Sequence, residues 1–309
     1  MMKFQAQAGI WLTILSTLAV SGSGELGTHT DADFRAYWYT DGAEISRYDL
    51  TQARYGELHK GDAVLIFVTE KLRSDIQVKA DDPEQGDLPV LKLNAQRRFY
   101  TGIYPYSVMT SVFSPVEKAI CIEPVKVTTS GQEWCGQIYM QMNLRDEFYS
   151  VVSHSYFEKE GDRAFSVAKT YSEDGLFNLV RMAPEKLPTG PFTMIAGTLY
   201  SRLMHRPLKG FAATGTLAME DGKSLEGNPL ASYTVRMPSE KRTLRIILER
   251  DFPHRIERWM DAYPSLAFAG GNVLTTKAVR THTIKSMYWN HHFNADRSLL
   301  NDLGLDPGQ

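Results

Sequence analysis

The run Ala63-Val64-Leu65-Ile66-Phe67-Val68-Thr69 constrains the fold more than any other segment. It follows a turn at Lys60-Gly61-Asp62 and is rich in β-branched and aliphatic residues. A short apolar run bounded by turn residues marks a buried strand. Shorter extended segments recur downstream: Val90 to Leu93, Ile138 to Met142 and Phe148 to Tyr156. Tyr233 to Val235, Leu244 to Leu248, Arg255 to Trp259 and Leu274 to Ile284 continue the series. Alternation places Ile138, Met140 and Met142 on one face. Turns such as Glu220-Asp221-Gly222-Lys223 and Ala269-Gly270-Gly271-Asn272 join the segments. This spacing predicts a mainly β chain, with antiparallel sheets forming a sandwich or half-barrel and few short helices.

Helical patterns are sparse. Asp174 stands as a cap before Leu176, Phe177, Leu179 and Val180, and Pro184 ends the pattern. The tail from Asn294 to Leu303 reads as a short helix, and a helix or loop is expected between Leu50 and Leu58. Residues 25–35 read as a polar leader. Pro184, Pro188, Gly190 and Pro191 fall within eight residues and suit a stiff connection. They divide the chain into an N-terminal β half, 25–187, and a C-terminal β half, 188–309, that ends in the short helix.

Residues 1–24 carry the pattern of a signal peptide. Lys3 is followed by an apolar stretch from Ala8 to Val20, and then by small residues around Ala19-Val20-Ser21. The apolar stretch falls short of the roughly 20 residues that span a bilayer. Export to the periplasm or cell envelope is the expectation, with no transmembrane span after cleavage. An exported chain permits a Cys121–Cys135 disulfide. Such a loop of about 15 residues would contribute ~3 kcal/mol in the chain-entropy model. Two separate thiols are the alternative. The formal net charge of -2 supplies no positive field for phosphates, which argues against nucleic-acid binding.

Motifs for chemistry are incomplete. Gly22-Ser23-Gly24-Glu25-Leu26-Gly27 has dinucleotide spacing, but it lies at the leader junction without the required strand and helix. Gly222-Lys223-Ser224 lacks the upstream glycine of a phosphate loop, since Leu217 stands there. The acidic stretch Asp81 to Asp87 is interrupted by Pro83, and the adjacent His291 and His292 would point apart on a strand. No cofactor or metal is therefore expected. Cys135 and His154 are the candidate nucleophile and base, with Glu133 as orienter. A disulfide at Cys135 would remove that nucleophile. Arg242, Arg245, Arg255 and Arg258, beside Trp259, are the candidates for holding a phosphate or an anionic lipid head. The structural alternatives are a packed Trp134 with a half-buried Cys135, and a solvated sheet face with local ion pairs.

The segments Thr51 to Glu57, Pro89 to Asn94, Thr101 to Ser107, Gln132 to Gly136 and Ser153 to Glu158 resemble an uncharacterised bacterial envelope protein family. Its members often carry the label "septum formation inhibitor Maf". The resemblance runs from about Tyr37 to Trp289. The Ser-x-Ser-Pro-Arg-Arg motif of the Maf pyrophosphatases is absent, so the resemblance implies neither that activity nor an active site. Many members look like lipoproteins, whereas this chain has no Cys near residues 18–26. Two expectations follow. One is a non-catalytic binding or carrier module for an amphipathic lipid or glycan. The alternative is an envelope hydrolase or transferase using the Cys135–His154 pair.

Overall fold

The computed structural model describes residues 25–117, 123–265 and 271–305. The segment expected to be a signal peptide, Cys121 and the Ala269-Gly270 part of one turn lie outside them. The chain is mainly β, as expected, and its strands form one mostly antiparallel sheet that does not close into a barrel. In chain order the first wing is β1 (Ala43–Arg54), β2 (Glu57–Leu72), β3 (Leu88–Thr101), β4 (Tyr104–Pro115), β5 (Lys126–Glu133), β6 (Gly136–Arg145), β7 (Phe148–Ser155) and β8 (Arg163–Ala168). The second wing is β9 (Tyr171–Ser172), β10 (Gly190–Ile195), β11 (Gly210–Lys223), β12 (Pro229–Met237), β13 (Arg242–Glu249), β14 (Ile256–Pro264) and β15 (Val273–Ser286). Each wing is a meander apart from the short parallel β9–β10 pair, and β1 pairs with β15 to make them continuous.

The Ala63–Thr69 run is the middle of β2, which is 16 residues long and sits between β1 and β3. Ala63, Leu65 and Phe67 are each at most 2% exposed, so one face of the strand enters the main core. The segment between Leu50 and Leu58 is neither helix nor loop. It is the β1–β2 hairpin, turned at Tyr55 (φ 53°) and Gly56 (φ 82°). Positive φ at both central positions matches the right-handed twist of the flanking strands.

Among the described residues there are three short α-helices: α1 (Asp31–Trp38), α2 (Glu173–Met182) and α3 (Thr198–Leu203). Helix α2 is the expected one, preceded by Ser172 rather than Asp174. Helix α1 replaces much of the expected polar leader. Its signal was a capping box, in which Thr30 and Asp33 satisfy each other's backbone N–H groups. The tail is a 3-10 helix, Asn294–Leu303.

Helix α2 packs on the inner face of the sheet and is fastened to both wings. In its middle, the buried Asn178 amide donates to the carbonyls of Leu91 (3.0 Å) and Val112 (3.3 Å), in β3 and β4. At its C-terminal end Arg181 forms a two-pronged bond to Glu44 of β1 at 2.5 and 2.7 Å, with both side chains 1% exposed. At its N-terminal end Glu173 takes Arg242 of β13 at 2.6 Å on each oxygen. Leu176, Leu179, Val180 and Met182 fill the space between, in the main core. Buried ion pairs add little net stability because desolvation opposes their attraction. They do penalise arrangements in which one partner is left alone. Among the described residues no helix is long and apolar enough to cross a membrane.

Candidate functional site

Helix α3 begins where α2 ends its reach. The backbone N–H of Gly197 donates to Glu173 Oε2 at 2.9 Å, and that of Thr198 to Asp174 Oδ2 at 3.0 Å. A Cβ on residue 197 would lie 2.5 Å from Glu173 Oε1, so glycine lets the carboxylate approach this closely. Thr198 Oγ1 also meets Thr129 Oγ1 of β5 at 2.6 Å. These contacts hold α3 over the inner face of β5 to β8.

Between α3 and that face lies a cavity of about 970 Å³. Period-2 alternation turns Ile138 and Met140 of β6 and Phe165 of β8 into it, and Leu208 closes it from the loop after α3. Its rim is polar. Glu160, on the β7–β8 connection, faces α3. It accepts from Ser155 Oγ (2.6 Å) and Arg202 (3.4 Å) and is bonded to His205 Nδ1. Burial disfavours the Glu160 carboxylate, yet His205, Ser155 and Arg202 together hold its pKa below the ordinary value. Arg202 also lies 4.5 Å over the Phe157 ring. Burial depresses its pKa despite Glu160, and the like charge of Arg54 adds to the effect.

A second, much smaller cavity of about 60 Å³ lies beneath α3, bordered by Glu173, Asp174, Arg97, Arg242 and Asp261. Burial, reinforced by the adjacent Glu173 charge, raises the Asp174 pKa to about 7. Arg242 cannot relieve it fully, because it is already committed to Glu173 and to Asp261 at 2.7 and 2.8 Å.

The structure separates the residues expected to act together. Cys135 lies in the tip of the β5–β6 hairpin as an exposed free thiol. His154 pairs in register with Tyr139, four residues further along β6. At ~3.3 Å per residue that places the two backbones roughly 13 Å apart. Glu133 does not orient His154; its Oε2 accepts the Cys135 backbone N–H at 3.0 Å. The same carboxylate raises the thiol pKa through a hydrogen bond, the opposite of activation. His154 instead meets Asp162 at 3.1 Å on the cavity rim. Trp134 is not buried but 69% exposed, with its ring stacked on Tyr104 at 6.3 Å between centroids.

The four arginines do not converge either. Arg242 and Arg245 are an odd number of residues apart on β13, so they project to opposite faces. Arg242 is buried with Glu173 and Asp261, Arg245 pairs with Glu220, and Arg255 with Glu249 at 3.5 Å. Arg258 makes no ion pair among the described residues. Trp259, 1% exposed, is core and packs edge-on to Phe177 of α2. At the other end of the chain, His291 faces Asp296 at 3.7 Å while His292 turns to the Trp289 carbonyl.

Sequence reasoning reached His154 on this rim but missed Arg202, His205 and Glu160. Helix α3 is only six residues long, too short for a periodic signal, and its neighbours across the cavity are tens of residues away. Fold and site define an open, curled antiparallel sheet holding a helix and an adjoining cavity. Comparison with protein-family models, curated proteins and solved structures finds no match to this chain.

Proposed function

We propose that the chain is an exported cell-envelope protein that binds or carries an amphipathic ligand, a lipid or glycan, in the cavity between α3 and β5 to β8. The observation that carries this reading is the division of one 970 Å³ space into an apolar floor and a polar rim. Ligand sites are typically concave, largely apolar and furnished with a few orienting polar groups, in a size range of about 300–1,000 Å³. The leader pattern and the resemblance to an envelope family support the location. The Cys–His alternative loses its support, since the strand register keeps the thiol and the imidazole apart.

Native mass spectrometry of protein purified from the envelope fraction tests the reading. A reproducible extra mass that leaves on denaturation is expected, and Met140→Trp, which fills the floor, should abolish it. If the purified protein carries no adduct and takes up no added amphiphile, the reading fails.

A further inference from the structure

We propose that the cavity selects amphiphiles whose head bears one negatively charged oxygen group, a carboxylate or a phosphate, and that this head sits against Arg202. The inference rests on the carrier reading above and concerns the same cavity.

The argument is a local count of charge. Arg54 and Arg202 lie together at the α3 end of the site, where Arg54 donates to the Leu203 carbonyl at the end of α3. Arg54 is 4% exposed and has no carboxylate partner among the described residues; its bonds there go to Leu203 O and the Tyr55 hydroxyl. Arg202 has Glu160, at 3.4 Å, and shares it with His205. Two guanidinium charges thus lie near one carboxylate, and only Arg202 is paired with it. Glu133 attracts Arg202 only from a distance, and its Oε2 is bonded to the Cys135 N–H.

The remaining rim charges balance among themselves. Arg206 is bonded to both oxygens of Glu240, at 2.7 and 2.9 Å. Across the cavity Lys159 and Arg163 stand with Glu158 and Asp162, and His154 faces Asp162. The surplus positive charge therefore falls at the α3 end alone.

Unmet hydrogen-bonding capacity falls at the same place. Arg202 Nε and Ser201 Oγ, on adjacent cavity-lining residues, are covered from solvent and have no hydrogen-bond partner. Buried polar groups are normally paired, and an oxyanion suits an unfilled guanidinium N–H; reaching it takes a turn of the Arg202 side chain, since Nε is covered in this structure. The apolar floor of Ile138, Met140, Phe165 and Leu208 extends from this end and would take the tail.

The test measures binding of dodecanoate, dodecyl phosphate and uncharged dodecanol to the full chain by competition with a fluorescent fatty acid. Wild type should bind at least one of the two anions about 10- to 100-fold more tightly than dodecanol, the scale of one charge-assisted hydrogen-bonded contact. The tighter of the two anions identifies the head group. Arg202→Gln should erase the preference by weakening anion binding about 10- to 100-fold, and Arg202→Lys should restore part of it. An unchanged urea-unfolding midpoint shows that the variant is folded. Equal binding of anions and dodecanol by wild type overturns the charge inference and leaves the carrier reading standing. Failure of every probe to bind overturns both.

Discussion

Replacing Asp174 with Asn should make the protein more stable at alkaline pH and nearly unchanged in acid. In the fold the Asp174 carboxyl holds its proton up to about pH 7, because burial and Glu173 disfavour the charge, against an ordinary value of 3.8. Between those two values the unfolded chain has released this proton and the folded chain has not. Stability from this group is therefore complete below pH 3.8 and falls as pH rises, levelling off above about 7. The gap of about 3 pH units, at ~1.4 kcal/mol each, amounts to ~4 kcal/mol. Asn cannot ionise, and its side-chain oxygen can still accept the Thr198 N–H that Asp174 accepts at 3.0 Å. Relative to wild type, Asp174→Asn should gain roughly 1.5 kcal/mol at pH 5 and ~4 kcal/mol at pH 8.

Wild type alone would hide this slope. Burial lowers the His254 pKa to about 4, so that group loses stability as pH falls from 6.5, opposing Asp174 over much of the same window. The difference between variant and wild type cancels the His254 contribution. Urea unfolding at pH 5 and pH 8, with unchanged m-values, gives the two numbers. A difference that is the same at both pH values, or a variant less stable at pH 8, would refute the reasoning.

Two further outcomes are expected. Glu44→Ala strands the buried Arg181 charge and should cost about 3–5 kcal/mol in urea unfolding, whereas Glu44→Leu combined with Arg181→Met should cost far less. A double variant as unstable as the single one would show that the pair itself, not the orphaned charge, matters. Glu133→Gln should speed iodoacetamide alkylation of Cys135 a few-fold near pH 8, since the hydrogen-bonded carboxylate no longer holds the thiol pKa up. An unchanged rate, read by mass spectrometry, would contradict that electrostatic account.

Local patterning was enough to establish β2, β3, β6, β7, β12 to β15 and the principal helix, but not β1, β4, β5 or β8 to β11. The Ala63–Thr69 run, the Ile138–Met142 alternation and the amphipathic stretch after Asp174 each carry their periodicity within a few residues. Burial then enforces what the periodicity suggests. The capping box that starts α1 was equally local, and legible to closer reading. Tertiary structure alone decided which charges meet. Arg181 finds Glu44 across 137 positions and Arg242 finds Glu173 across 69, distances at which no sequence spacing encodes contact. The arginines around Trp259 looked like one cationic face, yet strand alternation and a curled sheet divided them among separate carboxylates. The cavity arose the same way. Its floor comes from β6, β8 and the loop after α3, and its rim from α3, that loop and the β7–β8 connection, elements that meet because both wings pack on α2.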